Sequence, residues 1–496
     1  MLVEVVLLVA VVLMLLKVLR KPHGLPPGRW GLPLVGYVPL TRKNIEDQLM
    51  DLHKKHGDIY TWRMGTQVFV FLHDYRLTRE AFMRPEFVDR PDWLVFKFKE
   101  EKSLGVLGSN GSQWHNNRRF SLRQLRDLGM GKSKLVAAVH TQARQLVQEL
   151  RKQADQPAKH LPIALSAAIM NIIWNMVASR QFEMDDPRAI EFKNILDQLI
   201  EAEDRSLIVD LLPWLRTLLP EKLINWIIKM DVIDTTRHKF LLYFKEVVEE
   251  HRATLDPNNP RDLIDGYLME MEERKEDLDS TFNEADMYML ILDLFAAGTS
   301  TTTDTMTFIM QYLAVYPKVQ RKLQDEVDRV LRGHLPTLED RSRLPYTEAV
   351  IHEVLRKSSL ASVGVQHVAT KDTFLAEYVI PKGTVIHSVA VSIHHDKRYW
   401  EEPHVFKPER WIDHQGHFTA TKEGFLPFGV GKRQCVGEGL ARMELFIFTV
   451  AVFQSLNLAS PPGSTINPTH DPNIPIFHMP TSQPIHITSR EPVEVA

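Results

Sequence analysis

The sequence predicts a mainly α-helical protein with a small β portion, built as a single large domain behind an N-terminal transmembrane anchor. Three observations predict it. From about Gln113 to Lys357 the apolar residues recur with a helical period. Short runs rich in β-branched and aromatic residues, Ile59 to Met64 and Val68 to Leu72, precede that stretch, and alternating runs from Ala369 to Ser392 follow it. Val5 to Leu16 carries no polar side chain at all.

In chain order, Leu2 to Leu19, with Lys17 near one end, is just long enough to span a bilayer. Lys17, Arg20 and Lys21 form a cationic flank that stays in the cytosol. No small-residue cleavage site follows the apolar run, which argues for an uncleaved anchor. Gly24, Leu25, Pro26, Pro27 and Gly28 stiffen the next stretch. The expected organisation is therefore an anchor over residues 1–20, a basic and proline-rich hinge over 21–36, and one large domain over 37–496 on the cytosolic side. Within that domain, Asp74 opens a helical pattern, and Pro157, Pro213, Pro220 and Pro257 mark breaks. Tyr378, Pro381, Lys382 and Gly383 read as hairpin residues. Pro403 to Gly431 lacks periodicity, which is unusual in a compact domain unless the loop is functional. An apolar helix starts abruptly after Cys435. No repeat or linker divides the chain.

Composition limits the function classes. The 496 residues are 44% hydrophobic and 25% charged, enough for a large core and incompatible with disorder. A net charge of -3 provides no basic field, so nucleic acid is not expected as a partner. With one cysteine there is no internal disulfide and no CxxC pair.

That cysteine sits in an informative loop: Phe428, Gly429, Val430, Gly431, Lys432, Arg433, Gln434, Cys435, Val436, Gly437. At the mouth of a helix, backbone N–H groups and the helix dipole are expected to lower the thiol pKa. Such a sulfur suits a nucleophile, a redox sensor or a metal ligand. The pattern FxxGxRxCxG, met by Phe428, Gly431, Arg433, Cys435 and Gly437, resembles the signature of the cytochrome P-450 superfamily. Glu353 and Arg356 share a helix face. Beside Phe406 to Arg410 they resemble that family's ExxR helix and the arginine that completes a buried Glu-Arg-Arg network. Trp114 and Arg118 resemble its WxxxR helix, whose side chains contact a haem propionate. Arg433 matches a further propionate contact, and His367 and Lys102 fall where related microsomal enzymes place two more. The run Gly437 to Phe446 is similar to animal microsomal family 2, with arthropod members most alike.

Met287 to Met310 is apolar and helical, yet its middle reads Ala296, Ala297, Gly298, Thr299, Ser300, Thr301, Thr302. The resemblance implies that Ala297 and Gly298 leave room for dioxygen and substrate, and that Thr301 and its neighbour act in proton delivery. The neighbour here is Ser300, where the family usually carries an acid, so Asp293 or Asp304 would have to supply one through water. The resemblance further implies haem b with Cys435 as the iron ligand. Electrons would come from NADPH through a flavoprotein cytochrome reductase, with cytochrome b5 as an additional donor, and an oxygen atom of O2 would be inserted into a lipophilic small molecule at the endoplasmic reticulum membrane. Substrate choice is expected to rest on Val95 to Leu107, Asp293 to Thr301, Leu360 to Val365 and Asn473 to Phe477. Two other readings are a haem-thiolate isomerase or synthase, which would not need Thr301, and a non-catalytic haem sensor of a lipophilic ligand or gas.

Overall fold

Helices gather around one long central helix in the computed structural model, which describes residues 20–37, 44–98, 102–127, 133–184, 186–204, 206–472 and 476–490. The described helices used below are α1 (Ile45–His56), α2 (Gly111–Asp127), α3 (Ser133–Arg151), α4 (Ala164–Ala178), α5 (Pro187–Asp204), α6 (Glu284–Val315), α7 (Pro317–Leu331), α8 (Pro345–Ser358) and α9 (Glu438–Ser455). The Asn283 side chain caps α6 by accepting from Asp286 N, and the 32-residue helix runs on through its weak threonine turn. Tertiary packing explains this tolerance: α4, α7, α8 and α9 all pack against α6. Helix α4 is buried on almost every face, as expected of a helix apolar all round.

The apolar run Met287 to Met310 thus lies inside a longer helix. Asp74 does open a helix, accepting from Leu77 N at 2.9 Å. The stretch from Pro403 to Gly431 holds a short 3-10 turn, Pro408–Trp411, and no α-helix.

The strands β1 (Gly28–Arg29), β2 (Ile59–Met64), β3 (Gln67–Leu72), β4 (His367–Val368) and β5 (Val385–Ser388) make one sheet in the order β1-β2-β3-β5-β4. The pairs β2/β3 and β4/β5 are antiparallel, while β1/β2 and β3/β5 are parallel. The sequence suggested a small sheet near the N-terminus and separate hairpins over Ala369 to Ser392. Two of the sheet's strands come instead from some 300 residues later, a long-range pairing that local patterning does not encode. Part of the expected hinge, through β1, is built into this sheet.

The expected anchor lies outside the described residues except for Arg20. No helix among the described residues is long and apolar enough to cross a membrane.

Candidate active site

The Cys435 loop is shaped by backbone contacts. Gly431 has φ +88°, and a Cβ there would stand 2.1 Å from the Phe82 carbonyl oxygen, so only glycine fits. Cys435 N donates to the Phe428 carbonyl at 3.0 Å, and Gly437 caps the start of α9. Arg442 of α9 lies over the Phe428 ring, 4.8 Å from its centroid. Cys435 has exposed surface, and yet burial pushes its thiol above the ordinary range. The expected lowering of the thiol pKa is therefore wrong in sign for the bare chain. The N–H groups of Gly437 and Glu438 and the charge of Arg118 do pull it down, but desolvation outweighs them.

Above the loop, arginines converge without counter-ions. Arg433 donates to the carbonyls of Val88 (2.9 Å), Val106 (3.3 Å) and Ser109 (2.6 Å), and its guanidinium lies 4.1 Å from the Trp114 ring centroid. Arg118 donates to the Gln434 carbonyl at 2.8 Å, joining α2 to the cysteine loop. Arg90, only 5% exposed, donates to the carbonyls of Leu107 (3.2 Å) and Gln366 (2.5 Å). Asn110 accepts from both Arg433 Nη2 and Arg90 N. Among the described residues, none of the three guanidiniums has a carboxylate within ion-pair reach. Burial and then the neighbouring Arg90 push Arg433 down to about 8, and burial pushes Arg90 down to about 9. Buried, unpaired cations are costly. His367 completes the group: it stacks on Phe82 at 3.8 Å, its Nδ1 bonds the Phe87 carbonyl at 2.7 Å, and burial holds it well below the imidazole range. The Trp114 Nε1 donor is buried with no partner.

The turn of α6 divides its residues among different neighbours. Ala297 is exposed although Phe295 and Thr299 beside it are buried. Thr301 is half-buried and donates Oγ1 to the Ala297 carbonyl at 2.6 Å, which leaves its lone pairs free to accept. Gly298 does not open space, contrary to the expectation. A Cβ there would stand 2.9 Å from Ile173 Cδ1, so its absence lets α4 pack closely. Asp293 is also unavailable as a relay acid, since its Oδ2 accepts from Val106 N (2.7 Å) and Leu107 N (2.8 Å).

The sequence profile of "Cytochrome P450" matches residues 26–487. The chain belongs to the cytochrome P450 family. It is similar to cytochrome P450 2L1 of Panulirus argus, with 44% identity over 476 residues that cover 95% of this chain and 96% of the relative. It is also similar to cytochrome P450 18a1 of Drosophila melanogaster, at 33% over 92% of this chain and 86% of the relative, and to cytochrome P450 2C8 of Homo sapiens, at 36% over 89% of each. The protein is accordingly a monooxygenase, and haem b, held by a cysteine thiolate, is the family's cofactor.

The residues present in this P450 fit that cofactor. Haem brings two carboxylates, which three unpaired guanidiniums and an orphaned indole N–H are suited to receive. It also brings an iron for the single thiol, and coordination removes the thiol proton that burial retains. Trp114, Arg118, His367, Arg433 and Cys435 are brought into one region, as the sequence suggested. Lys102 begins the short strand Lys102–Ser103, and its side chain lies outside the described residues.

Two residues were missed. Arg90 stands in an unremarkable Asp-Arg-Pro run, and only the fold carries it to Arg433. Glu444 of α9 is fully buried, with one oxygen unpartnered and the Thr302 side chain of α6 beside its carboxyl, and burial raises it well above the carboxylate range. An acid within the apolar run Leu440 to Val450 was a signal that could have found it.

Asp304, one turn beyond Ser300, is half-buried, and burial pushes its carboxyl up to about 7. Unfolded, it titrates near about 3.9. Between those values the folded chain holds a proton that the unfolded chain has released, so stability falls as pH rises through the window. Asp304→Asn is expected to flatten the decline of the thermal midpoint from about pH 4 to about pH 7. Midpoints measured for both proteins across that range test this, and parallel slopes would mean that the carboxyl titrates normally.

Proposed function

We propose that this P450 inserts one oxygen atom of O2 into a lipophilic small molecule, taking electrons from NADPH through a flavoprotein reductase. One observation carries the reading: the single thiol sits in a loop that Arg118 joins to α2, beside guanidiniums without counter-ions and an indole N–H without a partner, a donor set suited to a haem's carboxylates. When bound, haem supplies one-electron and dioxygen chemistry, and its thiolate ligand favours O–O cleavage.

The remaining roles belong to the chain. Cys435 is read as the iron ligand, with Gly437 and Phe428 shaping its loop, and Arg90, Arg118, Arg433, Trp114, His367 and Lys102 as the propionate contacts. Thr301 holds a water by its free lone pairs. Ser300 supplies a hydroxyl but no acid, and the carboxyls of Asp304 and Glu444, both raised by burial, are read as proton donors on the same helix and on the helix packed against it. Thr301→Ala is expected to lower product formed per NADPH by roughly tenfold or more, while NADPH is still consumed. A stoichiometry assay reads this, and unchanged coupling would remove Thr301 from the proton path.

Contacts support the reading of the pocket walls. Asp293 ties the Val106–Leu107 turn to α6, and Ser362 Oγ donates to the Ile476 carbonyl at 2.9 Å. Ala361 also bridges to Phe477. The four stretches expected to select substrate are thereby joined in two pairs, and their largely apolar character suits a xenobiotic, steroid, fatty acid or terpenoid. Lys432, exposed on the cysteine loop, is placed to steer an acidic flavoprotein or cytochrome b5.

We read residues 1–20 as an anchor in the endoplasmic reticulum membrane, 21–36 as a hinge and 37–496 as the catalytic domain facing the cytosol. Exposed apolar side chains support a membrane-facing surface: Leu32 (63%) and Leu34 (57%) in the hinge, and Leu218 (70%) and Trp226 (75%) beyond α5. Trp214 Nε1 donates to the Leu34 carbonyl at 3.0 Å, tying the two regions together. Reconstitution with reductase, NADPH and a panel of lipophilic compounds tests the function. Rearrangement of peroxides without NADPH would favour an isomerase, and spectral binding without any turnover a sensor.

A further inference from the structure

In its first turn α6 sets a buried carboxylate against the turn that precedes α2. Asp286 has no exposed surface. Its Oδ1 accepts from Gly105 N (2.8 Å) and Asn117 Nδ2 (3.0 Å), and its Oδ2 accepts from the Tyr267 hydroxyl (2.7 Å). Asn117 lies on α2 between Trp114 and Arg118 and is also fully buried. The same Nδ2, which carries two hydrogens, donates to the Gly105 carbonyl at 2.8 Å. Gly105 is thus held by its N–H and its carbonyl at once.

Two helical turns further along α6, Asp293 takes the N–H groups of Val106 and Leu107. Gly105 has φ +71°, and a Cβ there would stand 2.3 Å from Asp293 Oδ2, so the turn lies directly against α6. Its carbonyls are engaged elsewhere: Val106 O accepts from Arg433, and Leu107 O from Arg90. Every backbone N–H and carbonyl of residues 105–107 is therefore occupied, by α6 on one side and by Asn117 and two arginines on the other. The apolar side chains are not packed to match. Val106 is half-buried and Leu107 is 38% exposed. A turn needed only for stability would bury those side chains; this one fixes its backbone and leaves them free to meet a ligand.

We propose that Asp286 is a specificity-positioning residue: by gripping Gly105 and Asn117 it fixes the Val106–Leu107 wall of the substrate pocket relative to α2 and the arginines read as haem-carboxylate contacts. It touches neither substrate nor cofactor, and it lies outside the four stretches expected to select substrate. The proposal rests on the haem reading given above. Asparagine can stand in for the carboxylate, because its carbonyl accepts from Gly105 and Asn117 while its amide donates to the Tyr267 hydroxyl, which accepts as well as donates. Alanine removes all three contacts.

The test titrates haem-loaded full-length protein with two ligands, following the Soret band: imidazole, which needs only the iron, and 4-phenylimidazole, whose second ring reaches the wall. In Asp286→Ala, 4-phenylimidazole is expected to bind roughly tenfold more weakly, the scale of one lost hydrogen bond to a charged group, with imidazole binding unchanged. Asp286→Asn should restore the affinity. Hydrogen exchange at residues 105–107, read by mass spectrometry, should quicken in the alanine variant and not in the asparagine one. Asn117→Ala releases the same glycine while leaving the carboxylate in place, so it carries the test where Asp286→Ala does not fold. Unchanged 4-phenylimidazole binding in the alanine variants, or an equal loss of both ligands, would overturn the proposal, the latter by making Asp286 a support of the whole haem site. A wild-type Soret band that imidazole does not move would sink the haem reading, and this proposal with it.

Discussion

Cys435→Ala is expected to abolish the long-wavelength Soret band that a thiolate-ligated haem gives when reduced and exposed to carbon monoxide, and to do so without unfolding the chain. No other cysteine exists to replace the ligand. The loop does not depend on the sulfur for its shape. It is held by Cys435 N on the Phe428 carbonyl, by Arg118 on the Gln434 carbonyl and by Gly431 against Phe82. The side chains proposed as propionate contacts are also intact in the variant, so haem should still be taken up, more weakly. Cys435→His then separates ligand identity from site integrity. An imidazole can hold iron but donates less electron density than a thiolate, so the band should move to shorter wavelength and monooxygenation should be lost while haem remains. A long-wavelength band persisting in either variant would place the iron elsewhere.

The parts of the site that were legible in the sequence are those written in short spacings. Phe428 to Gly437, Trp114 with Arg118, and Glu353 with Arg356 each lie within one loop or on one helix face, where sequence distance determines spatial distance. What depends on distant chain was not legible. Arg90 reaches Arg433 only because the fold brings them to the same Asn110 side chain. Gly298 read as a space-maker until Ile173 of α4 was seen to lie against it. The thiol illustrates the same limit in electrostatics. A helix N-terminus is visible in the sequence and lowers its pKa, while the desolvation that reverses the sign is a property of the whole surrounding protein. The sheet divides likewise, with β2 and β3 read from their own residues, and β4 and β5 joining them from the far end of the chain.

Glu353→Ala is expected to cost about 3–5 kcal/mol, the price of breaking a buried ion pair, against a total stability of about 5–15 kcal/mol. Glu353 and Arg356 have no exposed side-chain surface. The carboxylate accepts from Arg356 Nε (2.9 Å) and Nη2 (2.8 Å), Lys407 N (3.0 Å), Arg410 Nε (3.1 Å) and Trp411 Nε1 (3.0 Å). Arg356 Nη1 also donates to the carbonyls of His394 (2.6 Å) and Pro403 (2.9 Å), so the network fastens α8 to the loop that precedes Cys435. Alanine would leave the Arg356 and Arg410 guanidiniums without their shared carboxylate, one of them wholly buried. Glutamine preserves shape but not charge, and it cannot accept from every one of these donors at once. Both variants should therefore lower the thermal midpoint and the yield of haem-loaded protein, alanine more than glutamine. Arg76 and Glu423 form a bidentate pair of similar geometry at the surface, with side chains 77% and 45% exposed. Glu423→Ala should leave the midpoint unchanged, because water compensates what the pair loses. Equal midpoints for Glu353→Ala and Glu423→Ala would show that burial does not set the worth of this network, and the structural role assigned to it would fall.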